Sequence, residues 1–235
     1  MTTYDFNDGN GPIPAHQHSN GGGWVAVSAT VADTAYVELD ALVFGDARVF
    51  DNAKVYGDAR VFGNALVFGN AEVYGDAEVF GNALVFGNAE VYGDAKVYGD
   101  ARVFDNALVS GNALVFGDSK VYGNARVFGD ARVFDNAKVF DNALVFGNAL
   151  VFGDAKVYGN TRVFGDAKVY GDAEVYGDVE VCNNTRVYGD VEHKENKNMI
   201  DQDKVIDWME LAFIAINDAH GNPKSIIEKL PKDLK

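Results

Sequence analysis

The sequence predicts an all-β solenoid, a fold in which short parallel strands coil around one axis and stack on the next coil. Three observations support this prediction. A valine recurs every six residues from Val25 to Val187, 28 times without an insertion or deletion. Most of these valines are followed, after one residue, by Gly-Asn or Gly-Asp. Asparagine at the turn also recurs every 18 residues, which indicates three hexads per coil. A repeat this short cannot bury its own apolar face, so it must stack on its neighbours.

Each hexad, for example V-F-G-N-A-L, predicts a strand of about three residues and a turn. Valine is β-branched and favours a strand, and its two sequence neighbours point to the opposite face. The valine therefore faces inward, while the aromatic residue after it and the variable residue before it face outward. Glycine, asparagine and aspartate tolerate the positive φ of a tight turn. The alanine then faces inward again and is small enough for a corner.

The 18-residue period is clearest at the second turn position. Asparagine fills seven of eight sites in one column, and six of 17 sites in the other two columns. The rich column contains Asn52, Asn70, Asn88, Asn106, Asn124, Asn142 and Asn160, followed by Asp178. This bias predicts one asparagine corner in a three-sided prism, where stacked amides can bond to one another. At roughly 4.8 Å per coil, about nine coils give a prism roughly 45 Å long.

The chain divides into three predicted segments. Residues 1–24 form a leader or cap, residues 25–192 the repeat array, and residues 193–235 a C-terminal helical segment with a different composition. Trp24 is expected to cover the first coil, because an open sheet edge invites fibre growth. In the last segment four apolar residues recur at helical spacing, which predicts a cap for the last coil or an oligomer contact. They are Trp208, Met209, Phe213 and Ile216.

The pattern V-x-G-[ND]-A-x over residues 25–192 resembles the hexapeptide-repeat family, whose fold is a left-handed parallel β-helix. The left hand is implied by this resemblance alone, because the general rule for parallel crossovers favours the right hand. The leader, DFNDGNGPIPAHQHSNGGGWV, resembles the start of uncharacterised hexapeptide-repeat proteins of phages and prophages, which implies no chemistry. Enzymes of the family are commonly trimers, so the resemblance implies a homo-oligomer. The aromatic faces equally allow a side-by-side dimer.

Known members of the resembled family include acyltransferases, which use a histidine base, and γ-class carbonic anhydrases, which hold zinc through histidines. A general base needs a group that titrates near pH 7, and zinc needs nitrogen or sulfur ligands. The array has no histidine between residues 25 and 192 and no extruded loop. We therefore expect no catalytic residue and no cofactor. The alternative is an acyltransferase-like enzyme with its site between subunits.

Two sets of residues are weak candidates for binding a metal ion. His16 and His18 alternate, so an extended chain would place both on one side. A solvated leader or cap is the simpler interpretation of these histidines. Asp40, Asp58, Asp76 and Asp94 would stack at coil spacing and repel one another, and a bound cation would relieve this repulsion. The simpler interpretation of the aspartates is that they are good turn formers in water.

Aromatic residues dominate the predicted outer faces. Phe or Tyr follows valine in 23 of the 25 hexads from Val43 to Val187, the exceptions being Ser110 and Cys182. Stacked rings would stabilise a lean Val/Ala core, and a continuous apolar face would also suit a protein partner. These two interpretations are compatible. The face with an additional pair of leucines is the predicted contact surface: Phe50, Leu66, Phe68, Leu84, Phe86 and Phe104.

The formal charge is −15, which disfavours binding to nucleic acid or to an anionic membrane and allows a basic partner. Mimicry of nucleic acid by one acidic face remains open. A single cysteine, no long apolar run and no visible signal sequence favour a cytoplasmic protein. The predicted function is a rigid, non-catalytic solenoid, encoded by a phage or mobile element, that binds a protein partner such as a host factor. A structural part of a particle or filament is a further alternative.

Overall fold

The computed structural model describes residues 2–188, which form one β-solenoid of three parallel sheets preceded by two antiparallel leader strands. We call the three sheets face 1, face 2 and face 3. Face 1 has 12 strands: β1 Thr3–Tyr4, β2 Ile13–Gln17, β3 Trp24–Ala26, β6 Leu42–Val43, β9 Arg60–Val61, β12 Glu78–Val79, β15 Lys96–Val97, β18 Leu114–Val115, β21 Arg132–Val133, β24 Leu150–Val151, β27 Lys168–Tyr170 and β30 Arg186–Tyr188. Face 2 has nine: β4 Thr30–Val31, β7 Arg48–Val49, β10 Leu66–Val67, β13 Leu84–Val85, β16 Arg102–Val103, β19 Lys120–Val121, β22 Lys138–Val139, β25 Lys156–Val157 and β28 Glu174–Val175. Face 3 also has nine: β5 Tyr36–Val37, β8 Lys54–Val55, β11 Glu72–Tyr74, β14 Glu90–Tyr92, β17 Leu108–Val109, β20 Arg126–Val127, β23 Leu144–Val145, β26 Arg162–Val163 and β29 Glu180–Val181.

Each array strand pairs in parallel with its equivalents one coil away. Val67 pairs with Val85, and Leu66 pairs with Leu84, 18 residues on. From Val37 onward the array valines fill the core with little or no exposure, and the alanines between them are buried as well. The strands mostly have two residues, but the pairing extends further, because Phe68 N donates to Val85 O at 3.0 Å. The predicted solenoid of three hexads per coil and about nine coils is confirmed.

The corners depend on backbone with positive φ. Gly99 has φ +71°, and a Cβ added there would lie 2.9 Å from Gly117 N in the next coil. Such an approach between backbones needs glycine unless something is gained in return. At Asp135, where φ is +58°, the gain is a hydrogen bond, because its Oδ2 accepts from Gly153 N at 3.3 Å.

The predicted asparagine corner is confirmed as a hydrogen-bonded ladder. Asn124 Nδ2 donates to Asn142 Oδ1 in the next coil at 3.1 Å, and the same bond repeats along the column from Asn70 onward. The ladder ends where Asn160 donates to Asp178 at 2.8 Å. An amide both donates and accepts, so asparagine can propagate such a column, whereas an ionised aspartate only accepts and terminates it.

The leader covers one side of the first coils. Strand β2 pairs antiparallel with β3, opposite Trp24, and β1 pairs antiparallel with β2. Trp24 stacks on Tyr4 at 4.5 Å between ring centroids. Phe6 is fully buried and stacks on Phe44 at 4.9 Å, beside the ladder position that Ala26 occupies.

The predicted C-terminal helix, including Trp208, Met209, Phe213 and Ile216, lies outside the described residues. Within residues 2–188 no helix is long and apolar enough to cross a membrane.

Candidate interaction faces

The aromatic side chains of the array form ladders, with rings parallel and one coil apart. On face 2 the ladder runs unbroken from Phe50 to Tyr176. Phe68 and Phe86 stack at 4.8 Å with planes 2° apart. Each ring is half-buried, because its two flat sides contact neighbouring rings and its outer edge faces outward. The rings therefore stabilise the stack and also give each face an apolar strip.

Face 2 brings the predicted leucine pair together. Leu66 and Leu84 lie side by side on β10 and β13, both half-buried, on the same outward side as Phe68 and Phe86. The six predicted contact residues therefore form one continuous surface. We call it the face 2 patch: Phe50, Leu66, Phe68, Leu84, Phe86 and Phe104.

The strand residues beside the face 2 patch are basic, although the chain as a whole is acidic. The exposed Arg48 lies beside Leu66, and the exposed Arg102 lies beside Leu84. Lys120, Lys138 and Lys156 continue the same column in neighbouring coils. On this side of the prism, basic residues therefore stand on the strands beside the patch, and exposed aspartates such as Asp46 and Asp100 lie at a corner.

The carboxylates concentrate at the corners. Asp40, Asp58 and Asp76 lie in one corner column, and all three line an open cleft of about 540 Å³ beside the leader. In the described part of the chain, no three His, Cys, Asp or Glu side chains are grouped so as to hold a metal ion. Asp94, the fourth aspartate considered for a cation site, continues this column one coil further on.

The two leader histidines lie in different environments. His16 is exposed on β2, opposite Val25, whereas His18 follows the strand and is only 5% exposed. The Nε2 of His18 donates to Ala35 O at 3.0 Å, since a carbonyl oxygen only accepts. Asn20 Nδ2 donates to the same carbonyl at 2.9 Å. His18 therefore has a structural role in tying the leader to the first coil.

Arg60 links the leader to face 1 through its side chain. Its Nη2 donates to Phe6 O at 2.7 Å, and its guanidinium lies over the rings of Phe44 and Phe62, at 5.2 and 5.6 Å from their centroids. Such cation–π contacts strengthen as water is excluded. Its Nε is buried without a partner in residues 2–188, which shows how closely the leader covers this side chain.

On face 3 a small network links neighbouring coils. Lys54 Nζ donates to Glu72 Oε1 at 2.8 Å, and the Tyr56 hydroxyl donates to Glu72 Oε2 at 2.7 Å. The bond from Lys54 is the largest cause that lowers the pKa of Glu72. Burial, and then the bond to Glu72, raise the pKa of Tyr56, so this hydroxyl stays protonated throughout the physiological range.

Three features of these faces were not predicted from the sequence. Phe6 and Arg60 meet across 54 residues, and no periodic signal connects a leader phenylalanine with an array arginine. The burial of His18 depends on the turn that follows β2. Ser110 was visible as an exception to the aromatic rule, but its position in the middle of a ladder became clear only from the coil stacking.

Taken together, the stacked coils, the Val/Ala core and the bonded corners define a β-solenoid repeat protein. The model of the YdcK beta solenoid repeat matches residues 119–135. That match covers about one coil, and the parallel coils of 18 residues extend the same pattern along the array, which supports membership of the hexapeptide-repeat β-helix family. No curated protein matches the chain.

Proposed function

We propose that this solenoid is a non-catalytic binding protein that contacts a protein partner through the face 2 patch. The observation that carries the proposal is the pair Leu66 and Leu84, two half-buried leucines in register on an unbroken aromatic ladder. A rigid prism presents such a surface without reordering the backbone, so little entropy is lost on binding.

The flanking charges indicate the chemistry of the partner. Arg48 and Arg102 border the patch at its two ends, so a complementary surface combines an apolar centre with acidic residues at its edges. Opposite charges at the rim of an interface orient the partner and speed association. If the chain is encoded by a phage or mobile element, as the resemblance of the leader implies, the partner is a host protein. We also expect the protein to form a dimer or trimer.

Introducing negative charge into the apolar centre of the patch tests the proposal. In the double variant Leu66→Glu and Leu84→Glu, the new carboxylates lie opposite Arg48 and Arg102, so the fold is expected to persist. Apolar anchors at interface centres typically contribute about 2 kcal/mol each, so affinity for a captured partner is expected to fall at least tenfold. The matched control is Leu114→Glu with Leu150→Glu, two half-buried leucines on face 1.

The measurement is capture of partners from a lysate of the encoding cells, followed by titration of the purified partner. Loss of binding in both double variants, or in neither, would contradict the face 2 assignment. A thermal shift with acetyl-CoA or zinc would instead favour the acyltransferase-like or carbonic-anhydrase-like alternative. Co-purification with particles would favour the structural alternative.

A further inference from the structure

The aromatic ladder of face 3 is interrupted at Ser110. Before the interruption Tyr74 stacks on Tyr92 at 4.8 Å, and after it Phe128 stacks on Phe146 at 4.9 Å. Ser110 occupies the ladder position between Tyr92 and Phe128. In residues 2–188 the ladders of faces 1 and 2 have no such break between stacked rings.

The interruption has the dimensions of one ring. Tyr92 and Phe128 are two coils apart, so their ring centroids are separated by roughly 9.6 Å, twice the coil repeat. An aromatic ring inserted midway would lie about 4.8 Å from each, which is the spacing of the stacked pairs on both sides. The inner sides of Tyr92 and Phe128 therefore form the two walls of a slot. Ser110, 6% exposed, forms its floor.

The same molecule already fills a comparable position with a ring from elsewhere in the chain. On face 1, Ala26 stands where the array has an aromatic residue. Phe6 of the leader stacks on Phe44 beside it, with centroids 4.9 Å apart and planes 27° apart. Phe6 is fully buried in that position. A small residue in a ladder thus leaves space that a ring approaching from outside can occupy.

We propose that the Ser110 slot binds an aromatic side chain of a partner protein. The inserted ring stacks on Tyr92 and Phe128 and makes the face 3 ladder continuous. Beside the slot, Leu108 adds an apolar contact on the same outward side of the strand. A nucleobase is the less favoured occupant, because its phosphates would approach a chain with a formal charge of −15.

This site lies on a different sheet from the face 2 patch, so it does not depend on the proposed function. A binding role would give a reason for the serine at this ladder position. The substitution does not disturb the fold. The backbone of Ser110 keeps the coil-to-coil bond, with its N donating to Val127 O at 2.9 Å. Only the ring is missing at this position, between Tyr92 and Phe128.

The test uses the full-length chain with labelled leucine methyl groups and p-cresol as a probe of tyrosine side-chain chemistry. We expect saturable ring-current shifts at the Leu108 methyl signals, with a millimolar dissociation constant. Cyclohexanol, which has a similar size but no flat ring, should not displace p-cresol, so the p-cresol shifts should persist in its presence. Ser110→Ala should retain the shifts, because the slot stays open, and Ser110→Phe should abolish them by completing the ladder.

Absence of shifts in the wild type up to the solubility limit of p-cresol would overturn the proposal. Displacement of p-cresol by cyclohexanol, or undiminished shifts in Ser110→Phe, would overturn it as well. If Ser110→Phe does not fold, Phe128→Ala serves instead, because removing one wall should weaken binding at least fivefold. Adenosine monophosphate is titrated in parallel, and tighter binding of it than of p-cresol would contradict the choice of an aromatic side chain.

Discussion

Substitutions at Gly99 test how the corners of the solenoid are built. We expect Gly99→Asp to destabilise the protein less than Gly99→Ala, although aspartate is the larger residue. Both substitutions place a Cβ 2.9 Å from Gly117 N, on backbone with φ +71°. Only aspartate can recover part of this cost, as Asp135 does at the same corner by accepting a bond from Gly153 N at 3.3 Å.

The expected change in the free energy of unfolding follows from the cost of the added Cβ and the gain of the hydrogen bond. A non-glycine residue in the left-handed region costs about 1–2 kcal/mol, and the close approach to Gly117 adds to this. Gly99→Ala is therefore expected to lower the free energy of unfolding by about 2 kcal/mol. A net hydrogen bond returns about 1 kcal/mol, so the aspartate variant should be more stable than the alanine variant by about that amount. Asp135→Ala, the reverse test two coils further on, should cost about 1 kcal/mol.

Urea unfolding followed by far-UV circular dichroism gives the midpoints for the wild type and the three variants. The expected order of midpoints is wild type, then Gly99→Asp, then Gly99→Ala. If Gly99→Asp unfolds at or below the midpoint of Gly99→Ala, the side-chain hydrogen bond does not offset the cost of a non-glycine residue at the corner. The natural aspartates would then need another explanation.

Three further predictions concern the leader, the face 3 network and the core. Arg60→Ala removes the bond to Phe6 O, so amide exchange in the leader should accelerate at least tenfold; unchanged exchange would show that Arg60 does not hold the leader. The pKa of Glu72 is lowered below its usual value of 4.5, so its contribution to stability is present above about pH 4.5 and is lost as pH falls through the lower pKa of the folded state. The stability gap between wild type and Glu72→Gln, measured by thermal melts, should therefore narrow towards pH 3, and a constant gap would refute this. Val97→Ala, at a fully buried site, should cost about 2 kcal/mol in urea unfolding, whereas Val27→Ala, 52% exposed, should cost little; equal costs would contradict the assigned core.

The parts of the fold that repeat were predictable because each rule acts on neighbouring residues. A β-branched valine and a Gly-Asn turn define a strand and a corner locally, and stacking then copies them in every coil. The asparagine ladder was predictable for the same reason, since an 18-residue bias places amides directly above one another. Asn124 and Asn142 needed no further information to be paired.

The candidate sites were less predictable because they depend on contacts without a period. His16 and His18 were expected on one side of an extended strand, but the chain turns after Gln17 and buries only His18. The basic column beside the face 2 patch was hidden by the negative total charge. It becomes visible only when Arg102 is aligned with Lys120 across the coils.

By itself, the sequence determined that the array is a three-sided parallel solenoid, that valine and alanine form its core, and that one corner is an amide ladder. It did so because these features follow from residue spacing, which is fixed along the chain. Only the tertiary structure decided that Phe6 extends the face 1 ladder and that Arg60 holds the leader. It also placed Ser110 between the rings of Tyr92 and Phe128 on face 3. Those contacts join segments whose separation is set by packing and by the path of the leader, and no local preference of the residues encodes that path.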